Sequence, residues 1–186
     1  MTSGASVAGD EWLRLFLALR LPGPVLDAVE AWQDEHLRRD GVRVVPREHL
    51  HVTLAFLGRR PAAELEPIVG ALRKAAAAAG SDLRLAAARY RETRAVGMVV
   101  LEDGGGAGAA LAADLQARLE ALGVYRREGR PWLPHLTVAR FRRRPGLRLE
   151  PPGTGTFVPS DAAAFLSRLH PDGARYAVLE SVALGG

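Results

Sequence analysis

The sequence predicts an α+β fold built from two related lobes in one compact unit. Its 186 residues are 48% hydrophobic and 25% charged, which is ordinary for a single folded domain with a sizeable core. Stretches with strand-like alternation and stretches with helical spacing follow one another along the chain. The pattern His-x-Thr occurs at His51 and again 84 positions later at His135. We therefore expect lobes at about residues 11–80 and 81–186, related by a distant duplication, with exchange of strands between them allowed.

The first half is predicted to contain three strands and two helices. Apolar residues at helical spacing, such as Val25, Val29 and Trp32, indicate the first helix, and Gly58 is expected to close the third strand. The predicted elements are a strand at about Leu13–Leu21, a helix at about Pro24–Arg38, strands at about Val42–Val45 and Leu50–Leu57, and a helix at about Glu64–Ala79.

The second half repeats this plan with a strand pair, a helix and the strand that carries the second motif. The helix is indicated by one apolar face formed by Leu111, Leu115, Leu119 and Leu122. A loop rich in proline and glycine, "PGLRLEPPGTGT", follows the motif. The remaining predicted strands lie at about Leu83–Tyr90, Ala95–Glu102, Ala163–Leu169 and Arg175–Leu184.

Composition excludes several classes of chemistry. The chain has no cysteine, which rules out disulfides, thiolate catalysis, zinc ribbons and iron-sulfur clusters. The apolar stretch "WLRLFLALRL" is interrupted by Arg14 and Arg20, and no later run reaches the roughly 18 apolar residues of a membrane span. We expect a cytoplasmic protein without a membrane partner.

Both motifs place a histidine and a threonine on one face of a strand. Successive side chains of a strand point to opposite faces, so His51 and Thr53 share a face while Val52 and its apolar neighbours share the other. His135 and Thr137 obey the same parity. The apolar face belongs to the core of each lobe, and the polar pairs are left for a cleft between the lobes.

Two histidines facing each other across a phosphorus atom suit phosphodiester transfer. One removes a proton from the attacking water or hydroxyl, and the other protonates the departing ester oxygen. The threonine hydroxyls and an arginine can bind the non-bridging oxygens. Arg140 stands five residues after His135, so a regular strand turns it away from the cleft. It reaches the phosphate only through a bulge or by its long side chain.

Positive charge is concentrated around the second motif. Residues 126–148 contain eight arginines and one acid, Glu128, so the local net charge is 8 − 1 = +7. This local charge exceeds the net charge of +4 of the whole chain. Clustered arginine suits phosphate because its planar fork donates two parallel hydrogen bonds. The segment predicts a partner that carries phosphate. The arginines are Arg126, Arg127, Arg130, Arg140, Arg142, Arg143, Arg144 and Arg148.

The motifs and their flanks resemble the 2H phosphoesterase superfamily, in particular the RNA 2′,3′-cyclic phosphodiesterases that are also called 2′-5′ RNA ligases. The resemblance rests on "LHVTLAFLG" and "PHLTVAR", on the opening "RLFLALRLP" and on the closing "SRLHPDGARYAVLESVAL". It extends over nearly the whole chain, from Arg14 to Leu184. Each tripeptide alone is weak evidence, whereas the pair with its flanks and spacing is specific.

The resemblance implies a bilobal pseudo-two-fold fold, with two antiparallel sheets lining a central cleft and helices on the outside. It implies hydrolysis of RNA 2′,3′-cyclic phosphate ends to 2′-phosphomonoesters, without metal or cofactor. His51 would be the proton donor, His135 the proton acceptor, and Thr53 and Thr137 the phosphate-binding residues. Attack by an RNA hydroxyl in place of water would give 2′-5′ ligation. The implied partners are tRNA fragments or other oligonucleotides, and we expect a monomer.

Several residues beside the motifs keep two interpretations. His49 forms a His-x-His with His51, which is a known ligand spacing, but a metal would need a third ligand. We interpret His49 as a residue at the start of the strand. Trp132 is a candidate for stacking on a nucleobase or for packing beside the neighbouring prolines. Arg130 and Arg140 are candidate substrate-binding residues.

Two alternative functions stay open at this point. The first keeps the chemistry and changes the substrate to a small cyclic nucleotide or an ADP-ribose cyclic phosphate. The second is a non-catalytic RNA-binding protein of the same fold. An RNA substrate predicts marked weakening of binding with added salt, because contacts to phosphates release counterions.

Overall fold

The computed structural model describes residues 11–185, and in this range the chain forms nine strands and three α-helices. The strands are β1 (Trp12–Arg20), β2 (Val42–Val44), β3 (Val52–Pro61), β4 (Arg84–Glu92), β5 (Val96–Gly104), β6 (His135–Phe141), β7 (Thr156–Phe157), β8 (Asp161–His170) and β9 (Gly173–Val182). The helices are α1 (Gly23–His36), α2 (Leu65–Ala78) and α3 (Ala107–Ala121). The predicted α+β class is confirmed.

The strands form one antiparallel sheet in the order β7-β4-β5-β6-β3-β1-β8-β9, and β2 pairs with β6 off this path. At the centre of the described sheet, β3 and β6 are joined by the single register pair of Val52 with Leu136. The sheet therefore has two halves that meet edge to edge. These halves are the two antiparallel sheets that the resemblance implies.

Each half of the sheet takes strands from both halves of the chain. Strand β2, from the first half, pairs with β6, and strands β8 and β9, from the second half, lie beside β1. Strand β1 consequently has hydrogen-bonded neighbours on both sides, β3 and β8.

The main core lies between one face of the sheet and the helices. Alternate residues of β1, such as Leu15 and Leu17, are buried in one cluster with Val29 of α1, Leu72 of α2 and Leu115 of α3. The opposite face of the sheet carries a second, smaller apolar cluster of Phe16, Ala18, Ala163 and Phe165, with Tyr176 packed against it. Successive side chains of β1 therefore pack alternately into the main core and into the smaller cluster on the opposite face of the sheet.

Two local predictions were wrong. Strand β3 does not end at Gly58 but runs to Pro61, because Gly58 adopts a φ of +68° next to a register shift against β1. A glycine accommodates that backbone conformation without strain, and the strand continues beyond the bulge. Leu122 does not extend the buried face of α3, because the helix ends at Ala121 and the Leu122 side chain is 44% exposed.

Among the described residues, no helix is long and apolar enough to cross a membrane.

Candidate active site

The two His-x-Thr motifs lie side by side at the centre of the sheet. Their middle residues, Val52 and Leu136, form the pair that joins β3 to β6, and both side chains are fully buried. Because neighbouring side chains of a strand point to opposite faces, the flanking histidines and threonines project from the face opposite the main core. Equivalent residues of the two motifs are thus paired, as an approximate two-fold axis through this point requires.

The four polar side chains line two adjoining cavities. The first cavity, of about 670 Å³, has walls that include His51, Thr53, Phe56, Thr137, Arg140 and Tyr176. The second cavity, of about 680 Å³, has walls that include Thr53, Phe56, Arg91, Tyr125, Trp132 and His135. Thr53 and Phe56 belong to both cavities and form the boundary between them. The structure therefore brings the four predicted residues together, with one of the two motif histidines in each cavity.

A β-bulge three residues after each histidine changes the parity of the strand. In β3, Thr53 pairs with Ala18 and Ala55 with Leu17, which leaves Leu54 as the extra residue. The same pattern occurs in β6.

In β6, Thr137 pairs with Met98 and Ala139 with Gly97, so Val138 is the extra residue. A bulge turns the following side chains to the other face. Arg140 therefore points into the first cavity, by the first of the two routes that the sequence left open. Phe56 occupies the equivalent position in β3 and lies on the same side.

Two buried glutamines, which sequence reasoning missed, hold the bulges. The side-chain amide of Gln116 on α3 donates to the Leu54 carbonyl at 3.0 Å. The amide of Gln33 on α1 donates to the Val138 carbonyl at 2.9 Å and to the Val45 carbonyl at 3.0 Å. Helix α1 of the first half thus supports β6 of the second half, and helix α3 of the second half supports β3 of the first. The sequence signal that could have identified them is that Gln33 and Gln116 each stand among the apolar residues on the buried face of a helix.

His51 is enclosed by aromatic rings. Its ring centroid lies 4.9 Å from Phe16, 5.7 Å from Tyr176 and 5.9 Å from Phe165. Nδ1 lies 2.7 Å from the carbonyl oxygen of His49. A carbonyl oxygen only accepts, so Nδ1 carries the hydrogen in this contact and Nε2 is left for a ligand.

The pKa of His51 is lowered to about 4, mainly because burial penalises the charged imidazolium. The positive charges of nearby groups, His49, His135 and Arg140, act in the same direction, whereas the hydrogen bond to the backbone opposes the shift. His51 is therefore neutral at pH 7 when the cleft holds no anion.

His135 repeats the backbone contact of His51 in more open surroundings. Its Nδ1 lies 2.9 Å from the carbonyl oxygen of Leu133, again two residues before the histidine. By the same argument Nε2 is free to face the cleft. No aromatic ring of the described chain stacks on His135.

His49 does not belong to the strand. It ends a short 3₁₀ turn, Arg47–His49, and its ring lies 4.4 Å from Tyr176 at the wall of the first cavity. The interpretation of His49 as a residue at the start of the strand was therefore wrong, because the chain becomes extended only after this turn. Burial lowers the pKa of His49. In the part of the chain that the structure describes, no cluster of three histidine or acidic side chains has the arrangement of a metal site.

Trp132 and Arg130 both lie at the second cavity. The indole Nε1 of Trp132 donates to the Thr53 carbonyl at 2.9 Å, and the ring packs against the main core. Trp132 thus fastens the segment before the second motif to the first motif. The guanidinium of Arg130 is exposed and lies 3.4 Å from the Glu128 carboxylate.

The arginines of the basic segment, residues 126–148, include some that pair with acids and some that line a cavity. Arg127 pairs with Glu120 and Arg144 with the buried carboxylate of Glu92. A third cavity, of about 1000 Å³, has walls that include Arg43, Arg140, Arg142 and Arg143. It shares Arg43 and Arg140 with the first cavity, and these two residues are register partners of β2 and β6. An arginine-lined groove therefore leads away from the first cavity.

Known proteins resemble this chain over most of its length. The model of the 2'-5' RNA ligase superfamily matches residues 21–151. An RNA 2',3'-cyclic phosphodiesterase of Thermus thermophilus is 34% identical over 182 residues, which cover 94% of this chain and 91% of the relative. One of Escherichia coli is 30% identical over 141 residues, which cover 75% of this chain and 78% of the relative.

Solved structures show the same fold. The crystal structure of Escherichia coli LigT in apo form has a TM-score of 0.76 at 25% identity, covering 95% of this chain and 100% of that chain. The crystal structure of a Thermus thermophilus protein has a TM-score of 0.74 at 30% identity, covering 94% of this chain and 99% of that chain.

Proposed function

The chain belongs to the 2'-5' RNA ligase superfamily, and we propose that it hydrolyses RNA 2′,3′-cyclic phosphate ends to 2′-phosphomonoesters. Two relatives that align with most of the chain carry the name RNA 2',3'-cyclic phosphodiesterase. The observation that carries the proposal is the pairing of the two His-x-Thr motifs at Val52 and Leu136, which gathers two imidazoles and two hydroxyls around one position.

In the proposed reaction the cyclic phosphate lies at the boundary of the first and second cavities. Nε2 of His135 takes a proton from water, whose oxygen bonds to phosphorus. The bond from phosphorus to O3′ breaks, and His51 gives O3′ its proton. Charge on the non-bridging oxygens is bound by the hydroxyls of Thr53 and Thr137 and by Arg140, which the bulge in β6 turns into the first cavity.

The low pKa of His51 fits a proton donor only when substrate is present. A neutral imidazole cannot donate to O3′, so His51 must gain a proton when the cyclic phosphate binds. The anionic phosphate favours the imidazolium and raises the pKa of His51. We therefore expect the substrate and a proton to bind together.

The groove favours RNA over a small cyclic nucleotide. Arg142 and Arg143 lie beyond Arg140 in the third cavity and have no acidic partner among the described ion pairs. A mononucleotide offers no phosphate at that distance from its cyclic end, whereas the preceding phosphates of an RNA strand can follow the groove. A KM that does not change with salt would favour the small substrate.

The test is incubation with an oligonucleotide that ends in a 2′,3′-cyclic phosphate, in the presence and absence of EDTA. We expect a 2′-phosphate product and equal rates in both samples. A 3′-phosphate product would contradict the assignment of O3′ as the leaving oxygen. Loss of activity in EDTA with recovery in zinc would point to a metal at His49 and His51. RNA binding without hydrolysis would favour the non-catalytic alternative.

A further inference from the structure

Glu92 is a buried carboxylate that takes no part in the proposed reaction. It is the last residue of β4, its side chain is 1% exposed, and it lines none of the three cavities. Among the residues that the structure describes, no other charged residue is as deeply buried. A carboxylate is costly to remove from water unless hydrogen bonds and opposite charge compensate it. Its partners therefore show what the charge is used for.

Four donors surround the carboxylate of Glu92. The backbone N–H of Gly146 donates to Oε2 at 2.9 Å, and that of Leu147 donates to Oε1 at 3.0 Å. Nε of Arg144 donates to Oε2 at 3.2 Å, and the Tyr90 hydroxyl donates to Oε1 at 3.1 Å. Each oxygen thus accepts two hydrogen bonds, and three of the four donors belong to residues 144–147.

The Tyr90 hydroxyl is fixed in its role as a donor. Burial and the negative charge of Glu92 raise the pKa of Tyr90, so the hydroxyl keeps its proton at neutral pH. Gly97, the register partner of Glu92 on β5, leaves room for this hydroxyl. A β-carbon at Gly97 would lie 2.5 Å from the hydroxyl oxygen. Strands β4 and β5 are therefore both adapted to the carboxylate cluster.

The segment that Glu92 holds forms a wall of the arginine groove, the third cavity. Arginines 142–144 line this cavity and directly follow β6. Before them, the backbone N–H of Phe141 donates to the Ala95 carbonyl at 3.0 Å. After them, Glu92 binds the backbone and Leu147 packs against the main core. The arginines thus lie between two anchored points of the chain.

Arg144 belongs to the ion pair and to the groove at the same time. Its side chain is 63% exposed and lines the third cavity, although its Nε donates to Glu92. A guanidinium has five N–H donors, so the pair with Glu92 leaves donors for a second anion. A carboxylate on one side of an arginine fixes the direction in which those donors point.

We propose that Glu92 is a positioning residue for RNA binding, which holds residues 142–147 so that Arg142, Arg143 and Arg144 face the phosphates of the RNA strand. The inference rests on the proposed function. A segment that is ordered before RNA arrives loses less conformational entropy on binding. Because Glu92 contacts neither motif histidine, it should affect the KM for RNA and leave kcat unchanged.

The test is the variant Glu92→Gln. A glutamine has one accepting oxygen, and its amide nitrogen only donates. In either orientation of the amide, the backbone N–H of Gly146 or of Leu147 loses its acceptor. Net charge alone predicts tighter RNA binding in this variant, because a negative charge is removed beside a basic groove. Loss of the anchored segment predicts the opposite.

Two substrates separate the groove from the catalytic centre. For an oligonucleotide ending in a 2′,3′-cyclic phosphate, we expect KM to rise about five- to tenfold in Glu92→Gln, with kcat within about twofold of the parent. A nucleoside 2′,3′-cyclic phosphate has no phosphate that reaches the groove, so its KM should not change.

Glu120→Gln is the matched control, because it makes the same change of charge beside another arginine of the basic segment. Glu120 accepts from the backbone N–H of Arg127 at 2.8 Å and pairs with its guanidinium. Neither residue lines any of the three cavities. We expect the KM for the oligonucleotide in this control to equal that of the parent or to fall slightly.

An unchanged or lower KM for the oligonucleotide in Glu92→Gln would overturn the inference. An equal rise in KM for both substrates would also overturn it, because the change would then act on the whole cleft. If the parent hydrolyses the substrates and these results are found, the inference fails alone; if the parent hydrolyses neither substrate, the proposed function fails with it.

A second variant covers the case in which Glu92→Gln does not fold, as judged by circular dichroism. Tyr90→Phe removes one of the four donors and keeps the aromatic ring. We expect the KM for the oligonucleotide to rise about twofold, with no change for the nucleoside substrate. An unchanged KM for the oligonucleotide in Tyr90→Phe would then overturn the inference.

Discussion

His51 and His135 make the same backbone contact in different surroundings. Each ring is oriented by the carbonyl oxygen two residues earlier, at 2.7 Å and 2.9 Å. His51 alone is packed against Phe16, Phe165 and Tyr176. The repeated motif thus gives both imidazoles the same orientation by a backbone carbonyl. The tertiary packing gives them different surroundings, because aromatic rings bury His51 and leave His135 more open.

This inequality predicts an unusual titration for His51. In the free protein its pKa is about 4, because burial disfavours the imidazolium. Inorganic phosphate bound in the cleft should raise that pKa, since the anion favours the charged ring. The measurement is an NMR titration of the imidazole signals, assigned by comparison with His51→Ala. A His51 that titrates near 6.5 with and without phosphate would contradict the burial argument.

The same shift predicts how stability depends on pH. An unfolded histidine has a pKa of about 6.5 and binds a proton below that pH, whereas folded His51 stays neutral down to about pH 4. Protonation therefore favours the unfolded chain between these values. We expect the free energy of unfolding to lose up to about 3 kcal/mol from this group as pH falls from 6.5 to 4. Urea unfolding at several pH values should show a flatter profile in His51→Ala, and parallel profiles would refute the prediction.

At the scale of the elements, the site depends on two bulged strands supported by helices. The bulges at Leu54 and Val138 turn Phe56 and Arg140 into the first cavity, and buried glutamines bind the carbonyls of the bulged residues. A buried carbonyl that loses its donor costs roughly 1–3 kcal/mol.

Replacing these glutamines by methionine tests the support while keeping the volume of the side chain. Gln116→Met removes one hydrogen bond and Gln33→Met removes two. We expect urea unfolding to show a loss of about 1–3 kcal/mol for Gln116→Met, with a larger loss for Gln33→Met. As a matched comparison, Gln116→Glu keeps the chain length but has a donor only when its carboxyl group is protonated, so its stability should fall relative to the parent as pH rises. Unchanged stability in Gln116→Met would show that the bulge needs no donor.

The polar face of each motif could be predicted from the sequence, whereas the two bulges could not. The parity of His51 and Thr53 depends only on neighbours in the chain, so alternation was sufficient to predict it. The extra residue in each strand depends on register against β1 or β5 and on glutamines 62 and 105 positions away. Such long-range pairing leaves no local pattern. The 3₁₀ turn at His49 was hidden for a related reason, because His-x-His also fits a strand.

At the scale of the whole molecule, strand exchange builds one cleft from two similar halves. Residue 52 meets residue 136, and β8 returns to pair with β1. The repeat in the sequence predicts two related lobes, and their bounds stay a prediction. The exchanged strands could not be assigned, because strand partners distant in the chain share no spacing rule. The exchange places the basic segment after the second motif next to Arg43 of the first half.

The arginine groove predicts which part of the basic segment contributes to salt dependence. Removing a phosphate contact reduces the slope of log KM against log salt by about one. We expect the double variant of Arg142→Ala and Arg143→Ala to lower this slope by about one to two on a cyclic phosphate oligonucleotide.

The control is Arg126→Ala with Arg148→Ala, which removes the same charge from exposed positions that line none of the three cavities. Its slope should stay close to that of the parent chain. Equal reductions in both double variants would mean that only the net charge matters.

The most direct measurement is kcat/KM on an oligonucleotide ending in a 2′,3′-cyclic phosphate for His51→Ala and His135→Ala. His36→Ala is the control, because His36 lies on α1 against Trp32 and lines none of the three cavities. If the two motif histidines are the proton donor and acceptor, each variant loses about 10² to 10⁴ in rate while keeping its circular dichroism spectrum, and His36→Ala retains full activity. Either motif variant retaining activity within about tenfold of the parent would contradict two-histidine catalysis.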